Sequence, residues 1–307
     1  MSHETPAVTE RPSGTWYRNL GATLLWNARR ARDVLVYSSA YLAIIAAAQV
    51  VLATSVLPLG TTLAPAVVGL VTFAVYVTDR VADAETDAAA VPDQAAFASK
   101  HGDILYVAAC LAYGLAVSLA LLGGPMALAI TLLPGAFWVV YAADWLPGGE
   151  LGIRRLKDVF LLNSTVVALA WAVTLVFLPL AFAARTVTPG VAVVFCYFFL
   201  RVFSNTELPN IRDMAADREI GVRTIPTVVG VHRTRQVLYA LDLLTAALVA
   251  SAVVAGYLPV ASLALLVGVV YSTVVVSRVG RGADVDRLTT AAECEFLVTL
   301  VVLLVIV

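Results

Sequence analysis

Lysine is almost missing from this 307-residue chain: Lys100 and Lys157 stand against 18 arginines. Charge of any kind is sparse, at 13% of residues, and the formal net charge is −1. A chain with so little charge and no dominant sign has no electrostatic pull toward nucleic acid. Cysteine is scarce too. Cys110, Cys196 and Cys294 form no CxxC pair, and two of them fall inside apolar runs, so neither a disulfide framework nor a zinc site is supported. His3, His101 and His232 are far apart in sequence, which argues against a histidine metal centre.

What fills the chain instead is apolar surface. Hydrophobic residues make up 61% of it, and the mean hydropathy is +0.90. Soluble domains carry about 45–50% apolar and about 25% charged residues. The sequence therefore predicts an all-α polytopic membrane bundle. A span needs about 20 apolar residues, and nine stretches qualify: 34–57, 61–79, 104–122, 125–144, 159–181, 187–204, 236–257, 259–277 and 290–307. Gly and Pro punctuate the short connections at 58–60, 123–125 and 256–259. Residues 1–33 are polar and read as a separate cytoplasmic N-terminal segment, without the pattern of a cleaved signal peptide. Trp16, Leu20 and Leu24 recur there at helical spacing, which suits either an interfacial helix or a mobile tail.

Nine spans with the N-terminus in the cytoplasm place 19 of the 20 basic residues inside, leaving only Arg185 outside. That positive-inside bias sets the orientation in a cell membrane and puts the C-terminus outside. Two cytoplasmic loops stand out by length, 80–103 and 205–235. Long structured loops tend to be functional, and both hold acidic clusters.

The first cluster runs Tyr76-Val-Thr-Asp79-Arg80-Val-Ala-Asp83-Ala-Glu85-Thr-Asp87. Four-residue spacing on a continuous helix puts Asp79, Asp83 and Asp87 on one face, where their mutual repulsion calls for a positive partner. Mg²⁺ is the economical one, held by one or two carboxylates together with waters and substrate phosphates. The second cluster, Asn205 to Pro226, repeats the spacing in Asp213 and Asp217 and interleaves Arg212, Arg218 and Arg223. Arginines beside metal-binding carboxylates suit a phosphate ligand. A single acid at a helix end often does no more than mark the water interface. Two such clusters on one side, four spans apart, are functional candidates.

At these residues the sequence resembles the UbiA superfamily of intramembrane prenyltransferases, which has nine helices and two Asp-rich motifs near the ends of helices 2 and 6. The family's N-D-x-x-D-x-x-x-D is matched at Asp83 and Asp87, with Asp79 at the Asn position and Arg80 where an acid is expected. Asp213 and Asp217 fit the second motif, with Pro209 at its lead. The run Asp217-Arg218-Glu219-x-Gly221-x-Arg223-Thr224-x-Pro226 is similar to the family's D-R-x-x-G-x-x-T-x-P. The resemblance implies Mg²⁺-dependent transfer of a polyprenyl group from a prenyl diphosphate to a small aromatic or lipid acceptor within the bilayer. Asp79, Asp83, Asp87, Asp213 and Asp217 would hold metal, the last four as catalytic residues. Tyr76, Arg80, Lys100, Lys157, Arg212, Arg218 and Arg223 would contact substrate.

Several positions carry two readings. Lys157, with Arg154, Arg155 and Asn163 nearby, is either a phosphate contact or ordinary positive-inside charge, and Lys100 is similar. Trp138 and Tyr141 face a cation through their rings or anchor span 4 at the interface. Asp144 and Asp158 balance the neighbouring arginines or take part in the site. Asp242, inside span 7, pairs with an Arg or lines the cavity. Two other classes stay open: a secondary transporter, which would more often set its acids at the bilayer midplane, and a catalytically silent prenyl-lipid binder, which Arg80 keeps in play.

Overall fold

The computed structural model describes Thr23, Trp26, Asn27 and residues 30–88, 91–142 and 160–306, with the backbone alone for Thr86, Asp87, Val140, Tyr141, Ala142, Asn163 and Ile220. The described chain is all-helical, with no strand. Lipid offers backbone amides no partners, so an apolar chain satisfies them internally as helix. In order the helices are α1 (Arg30–Tyr37), α2 (Ala40–Val56), α3 (Ala64–Ala82), α4 (Ala84–Asp87), α5 (Pro92–Ala120), α6 (Gly124–Ala142), α7 (Leu162–Phe182), α8 (Pro189–Arg212), α9 (Met214–Ile220), α10 (Ile225–Val254), α11 (Leu265–Arg278), α12 (Val285–Glu293) and α13 (Glu295–Ile306).

Among the described residues, seven helices are long and apolar enough to cross a membrane, or up to eight if the bent pair α1–α2 counts as one span. That pair bends by 72° at Ser39, whose φ of 59° is left-handed. One of the seven is the 48-residue run Pro92–Val139. At 1.5 Å per residue it is about 72 Å long, more than twice the hydrocarbon core. The run folds back on itself. A 3₁₀ turn at Leu121–Gly123 and Gly124 at φ 84° reverse it, and the Tyr113 hydroxyl donates to the Leu132 carbonyl across the hairpin at 3.3 Å. Gly135 permits this approach, since a Cβ there would lie 2.4 Å from the Tyr113 hydroxyl.

The helices close into a ring. α2 packs on α3, α3 on α5 and α6, α6 on α7, α7 on α8, α8 on α10, α10 on α11, α11 on α13, and α13 back on α2. α12 lies against α8 and α11. The expected long loops are shorter than the sequence suggested. α5 begins at Pro92 rather than near 104, and the second loop is largely α9 and the first turns of α10. Hydropathy marks where lipid contact stops, whereas backbone hydrogen bonding carries a helix on into the aqueous layer.

Candidate functional site

α3 and α8 both break at an aspartate. Asp83 (φ −97°, ψ 10°) separates α3 from α4, and Asp213 (φ −83°, ψ −1°) separates α8 from α9. Helical bonding runs up to the first break and away from the second: Asp83 N–H donates to the Asp79 carbonyl and Asp217 N–H to the Asp213 carbonyl, both at 2.9 Å. The expected single helical face for Asp79, Asp83 and Asp87 ends at Asp83, because its torsions turn the chain. The Asp87 side chain lies outside the described residues.

The two breaks face one cavity of about 320 Å³. Asp79, Arg80, Asp83, Arg212 and Asp213 line one end, and Tyr41, Tyr76, Pro209 and Asn210 continue the wall. Arg212 forks onto Asp213, with Nε to Oδ1 at 2.7 Å and Nη2 to Oδ2 at 2.8 Å, and its Nη1 donates to Asp286 Oδ1 at 3.2 Å. Trp138 Nε1 donates to Asp79 Oδ1 at 3.1 Å, and Arg80 Nε to Ser39 Oγ at 3.5 Å, beside the α1–α2 bend. Carboxylates and guanidiniums therefore border the same space. Such a mixture can take an anion together with a hard cation.

A second chamber of about 160 Å³ shares Tyr76, Asp79, Val167 and Trp171 with the first. Its other walls are apolar, including Phe137, Trp138 and Val166. Tyr76 and Trp171 stack, with ring centroids 5.8 Å apart.

Arg201 does not sit at the aqueous face, where the positive-inside count placed it. It is wholly buried between α8, α10 and α13. Its Nε and Nη2 donate to the two oxygens of Glu295 at 3.0 and 2.6 Å, and its Nη1 to Asp242. Asp242 also accepts from Ser272 at 3.0 Å and Thr273 at 2.9 Å. Asp242 thus pairs with an arginine, one of its two expected roles. The cluster joins four helices, α8, α10, α11 and α13, and its charges are compensated as burial requires.

Of the site residues expected from sequence, Tyr76, Asp79, Arg80, Asp83, Arg212 and Asp213 meet at the cavity. Asp217 lies on α9 and is half-buried; Lys100 and Arg218 are exposed on α5 and α9, and none of the three lines the cavity. Arg223 is exposed, with its guanidinium 5.5 Å from the centre of the Phe160 ring. Lys157, Arg154, Arg155, Asp144 and Asp158, with the side chains of Tyr141 and Asn163, fall outside the described residues. The sequence reading missed Glu293, which lines the cavity from α12. Its signal was the one used for Asp242, an acid inside an apolar stretch.

Among the described residues no three Asp, Glu, His or Cys side chains form a ready metal cluster. Mg²⁺ does not require one, since it keeps waters and takes phosphate oxygens beside one or two carboxylates. Asp79, Asp83 and Asp213 on one cavity are hard oxygen donors, and the set fits that ion in kind.

The model of the UbiA prenyltransferase family matches residues 36–299. Among solved structures, the chain is similar to a UbiA homologue from Archaeoglobus fulgidus bound to GPP and Mg²⁺, with a TM-score of 0.65 and 14% identity over 89% of this chain and 99% of that one. The same homologue bound to DMAPP and Mg²⁺ gives 0.62 and 14% over 89% and 99%. A structure described for digeranylgeranylglyceryl phosphate synthase gives 0.58 and 14% over 90% and 98%. No curated protein sequence matches the chain.

Proposed function

The chain belongs to the UbiA prenyltransferase family, and on that premise we propose that it carries out Mg²⁺-dependent transfer of a polyprenyl group from a prenyl diphosphate to a small aromatic or lipid acceptor within the membrane. The observation that carries this reading is the meeting of two Asp-bearing helix breaks with Arg80 and Arg212 on one cavity that adjoins an apolar chamber. The similarity to a homologue bound to GPP or DMAPP with Mg²⁺ supports it.

Asp79, Asp83 and Asp213 are the proposed metal ligands, with Asp87 and Asp217 completing the set. When bound, Mg²⁺ supplies positive charge against the diphosphate leaving group. Arg80 and Arg212 bind diphosphate oxygens, Arg212 exchanging its fork on Asp213 for phosphate. The apolar chamber takes the start of the prenyl chain and keeps water off the reacting carbon. The faces of Tyr76 and Trp171 stabilise the allylic positive charge that develops as the C–O bond lengthens. Lys100, Lys157, Arg218 and Arg223 are proposed as outer basic residues that draw in the diphosphate.

We read the topology as nine passes in one membrane domain, 34–307, by taking α1–α2 as one span and Pro92–Val139 as two. Basic residues at the α3 and α8 ends favour a cytoplasmic face for the site, a cytoplasmic 1–33 segment and an external C-terminus. A transporter reading has less support, because Arg201, Asp242 and Glu295, buried between helices, are packed and paired.

The test is incubation of purified protein with labelled geranylgeranyl diphosphate and an acceptor panel, with and without EDTA. Transfer lost in EDTA is the expected result. Failure of the protein to bind the diphosphate in Mg²⁺ overturns the proposal.

A further inference from the structure

Polar side chains stand among the apolar residues, such as Ile45, Val202 and Phe296, at the inner end of the cavity. Thr72 on α3, Asn205 on α8 and Glu293 on α12 all line it, joined by Gln49 from α2. Each of the first three stands seven or eight residues inward of a residue at the mouth or bound to one: Thr72 from Asp79, Asn205 from Asp213, and Glu293 from Asp286, which accepts from Arg212. At 1.5 Å per residue that sets them about 10–12 Å below the mouth.

Their hydrogen-bonding capacity is unspent. Thr72 is 2% exposed and Asn205 6%, yet Thr72 Oγ1 and Asn205 Nδ2 have no partner. The buried threonines Thr131, Thr174 and Thr299 each donate to the carbonyl four residues back in their own helix, which Thr72 does not do. Asn205 comes within reach of the Glu295 carboxylate, which already accepts twice from Arg201, without a well-formed hydrogen bond from its Nδ2. Pro209 also removes the amide that would pair with the Asn205 carbonyl in an unbroken helix. Glu293 makes no hydrogen bond or ion pair to any described residue, whereas Glu295, two positions on, is paired twice. Unsatisfied polar groups at this depth are costly unless a ligand completes them.

We propose that Gln49, Thr72, Asn205 and Glu293 form the acceptor subsite, built for an uncharged hydroxyl-bearing acceptor and selecting against anionic ones. This rests on the prenyltransferase reading and deepens it. The mouth, with Arg80 and Arg212, suits the anionic diphosphate. The floor offers a carboxyl and uncharged polar groups but no basic side chain, so a carboxylate- or phosphate-bearing acceptor would be desolvated there without a positive partner. A neutral hydroxyl instead donates to Glu293 and accepts from Asn205 or Thr72. In the reaction, the allylic carbon–oxygen bond breaks and its electron pair leaves on the diphosphate. The acceptor's nucleophilic atom bonds to that carbon, and the proton it displaces passes to the Glu293 carboxylate.

The experiment uses the full chain in detergent with Mg²⁺ and matched acceptors: 1,4-dihydroxybenzene against 4-hydroxybenzoate, and a glycerol monoether against glycerol phosphate. Acceptor binding is read by calorimetry with an unreactive thio-analogue of geranylgeranyl diphosphate in place, and turnover with the diphosphate itself. The neutral member of at least one pair should bind about tenfold tighter or better than its anionic partner. Glu293→Gln should lower kcat/KM for the neutral acceptor by a similar factor, narrow the preference, and leave the donor dissociation constant unchanged. Thr72→Val, of the same shape, should raise the acceptor KM alone, and it carries the test if Glu293→Gln does not assemble. Preference for the anionic acceptors, binding of none of the four, or variants that leave acceptor kinetics as they were would overturn the subsite. Absence of donor binding in the wild type would instead overturn the prenyltransferase reading beneath it.

Discussion

Tyr76 stacks on Trp171, their planes 15° from parallel, and the pair is the partition between the polar cavity and the apolar chamber. One residue comes from α3 and the other from α7. The partition therefore exists only because the ring of helices brings these two together. Trp171→Ala should merge the two spaces. Loss of the stacking and of the buried ring surface should weaken binding of geranyl diphosphate about tenfold or more. Equilibrium binding in Mg²⁺ checks this, and unchanged affinity would mean that the chamber does not receive the prenyl chain.

Asp83→Ala and Asp213→Ala should each remove Mg²⁺-dependent diphosphate binding, since they take an oxygen donor from opposite sides of one cavity. The measurement is a Mg²⁺ titration at fixed labelled diphosphate. A midpoint that stays where it is in both variants would separate these acids from the metal.

Arg80 lines the cavity where the family pattern has an acid. Arg80→Gln should cost about tenfold to a hundredfold in diphosphate affinity, the worth of one hydrogen bond to a charged group. Arg80→Asp should instead tighten Mg²⁺. A metal titration that Asp does not change would place the side chain away from the ion.

Arg201→Met leaves Asp242 and Glu295 buried without their cation. Removing one partner from such a cluster costs about 3–5 kcal/mol. A fall in the detergent Tm and in folded yield is expected, larger than that of Arg218→Ala on the exposed surface of α9. Equal stability for the two variants would contradict the structural role assigned to Arg201.

Gly221 ends α9 at φ 79°, and Thr224 caps α10 by accepting from Thr227 N–H while Thr227 Oγ1 accepts from Thr224 N–H at 2.7 Å. Gly221→Ala and Thr224→Ala should each cost about 1 kcal/mol. Thermal unfolding of the full chain reads this, with metal affinity largely retained. A variant that kept its stability and lost metal binding would move this run from turn chemistry to the site.

That last case shows how a motif can be legible while its role is not. Gly221, Thr224 and Pro226 belong to the run that is similar to the family's D-R-x-x-G-x-x-T-x-P, and in the structure they end one helix and start the next. The acids are the opposite case. Spacing, sidedness and the family motif single out Asp79, Asp83 and Asp213, and all three line one cavity. Asp217 shares that spacing but does not line the cavity, because the chain turns at Asp213. Lys100 was grouped with the site through its long loop, and that loop is the start of α5.

Hydropathy by itself determined that this chain is a helical membrane bundle with its two Asp clusters at helix ends, because the cost of exposing backbone and charge to lipid is local to each segment. Which side chains share a space is not local. Arg201 reads as surface charge until α10 and α13 bring Asp242 and Glu295 to it, and Glu293 reads as one acid in an apolar run until ring closure turns it into the cavity. Only the packing of α12 and α13 against α2, α8 and α11 decides that one glutamate is neutralised in the core and the other, two residues away, faces the site.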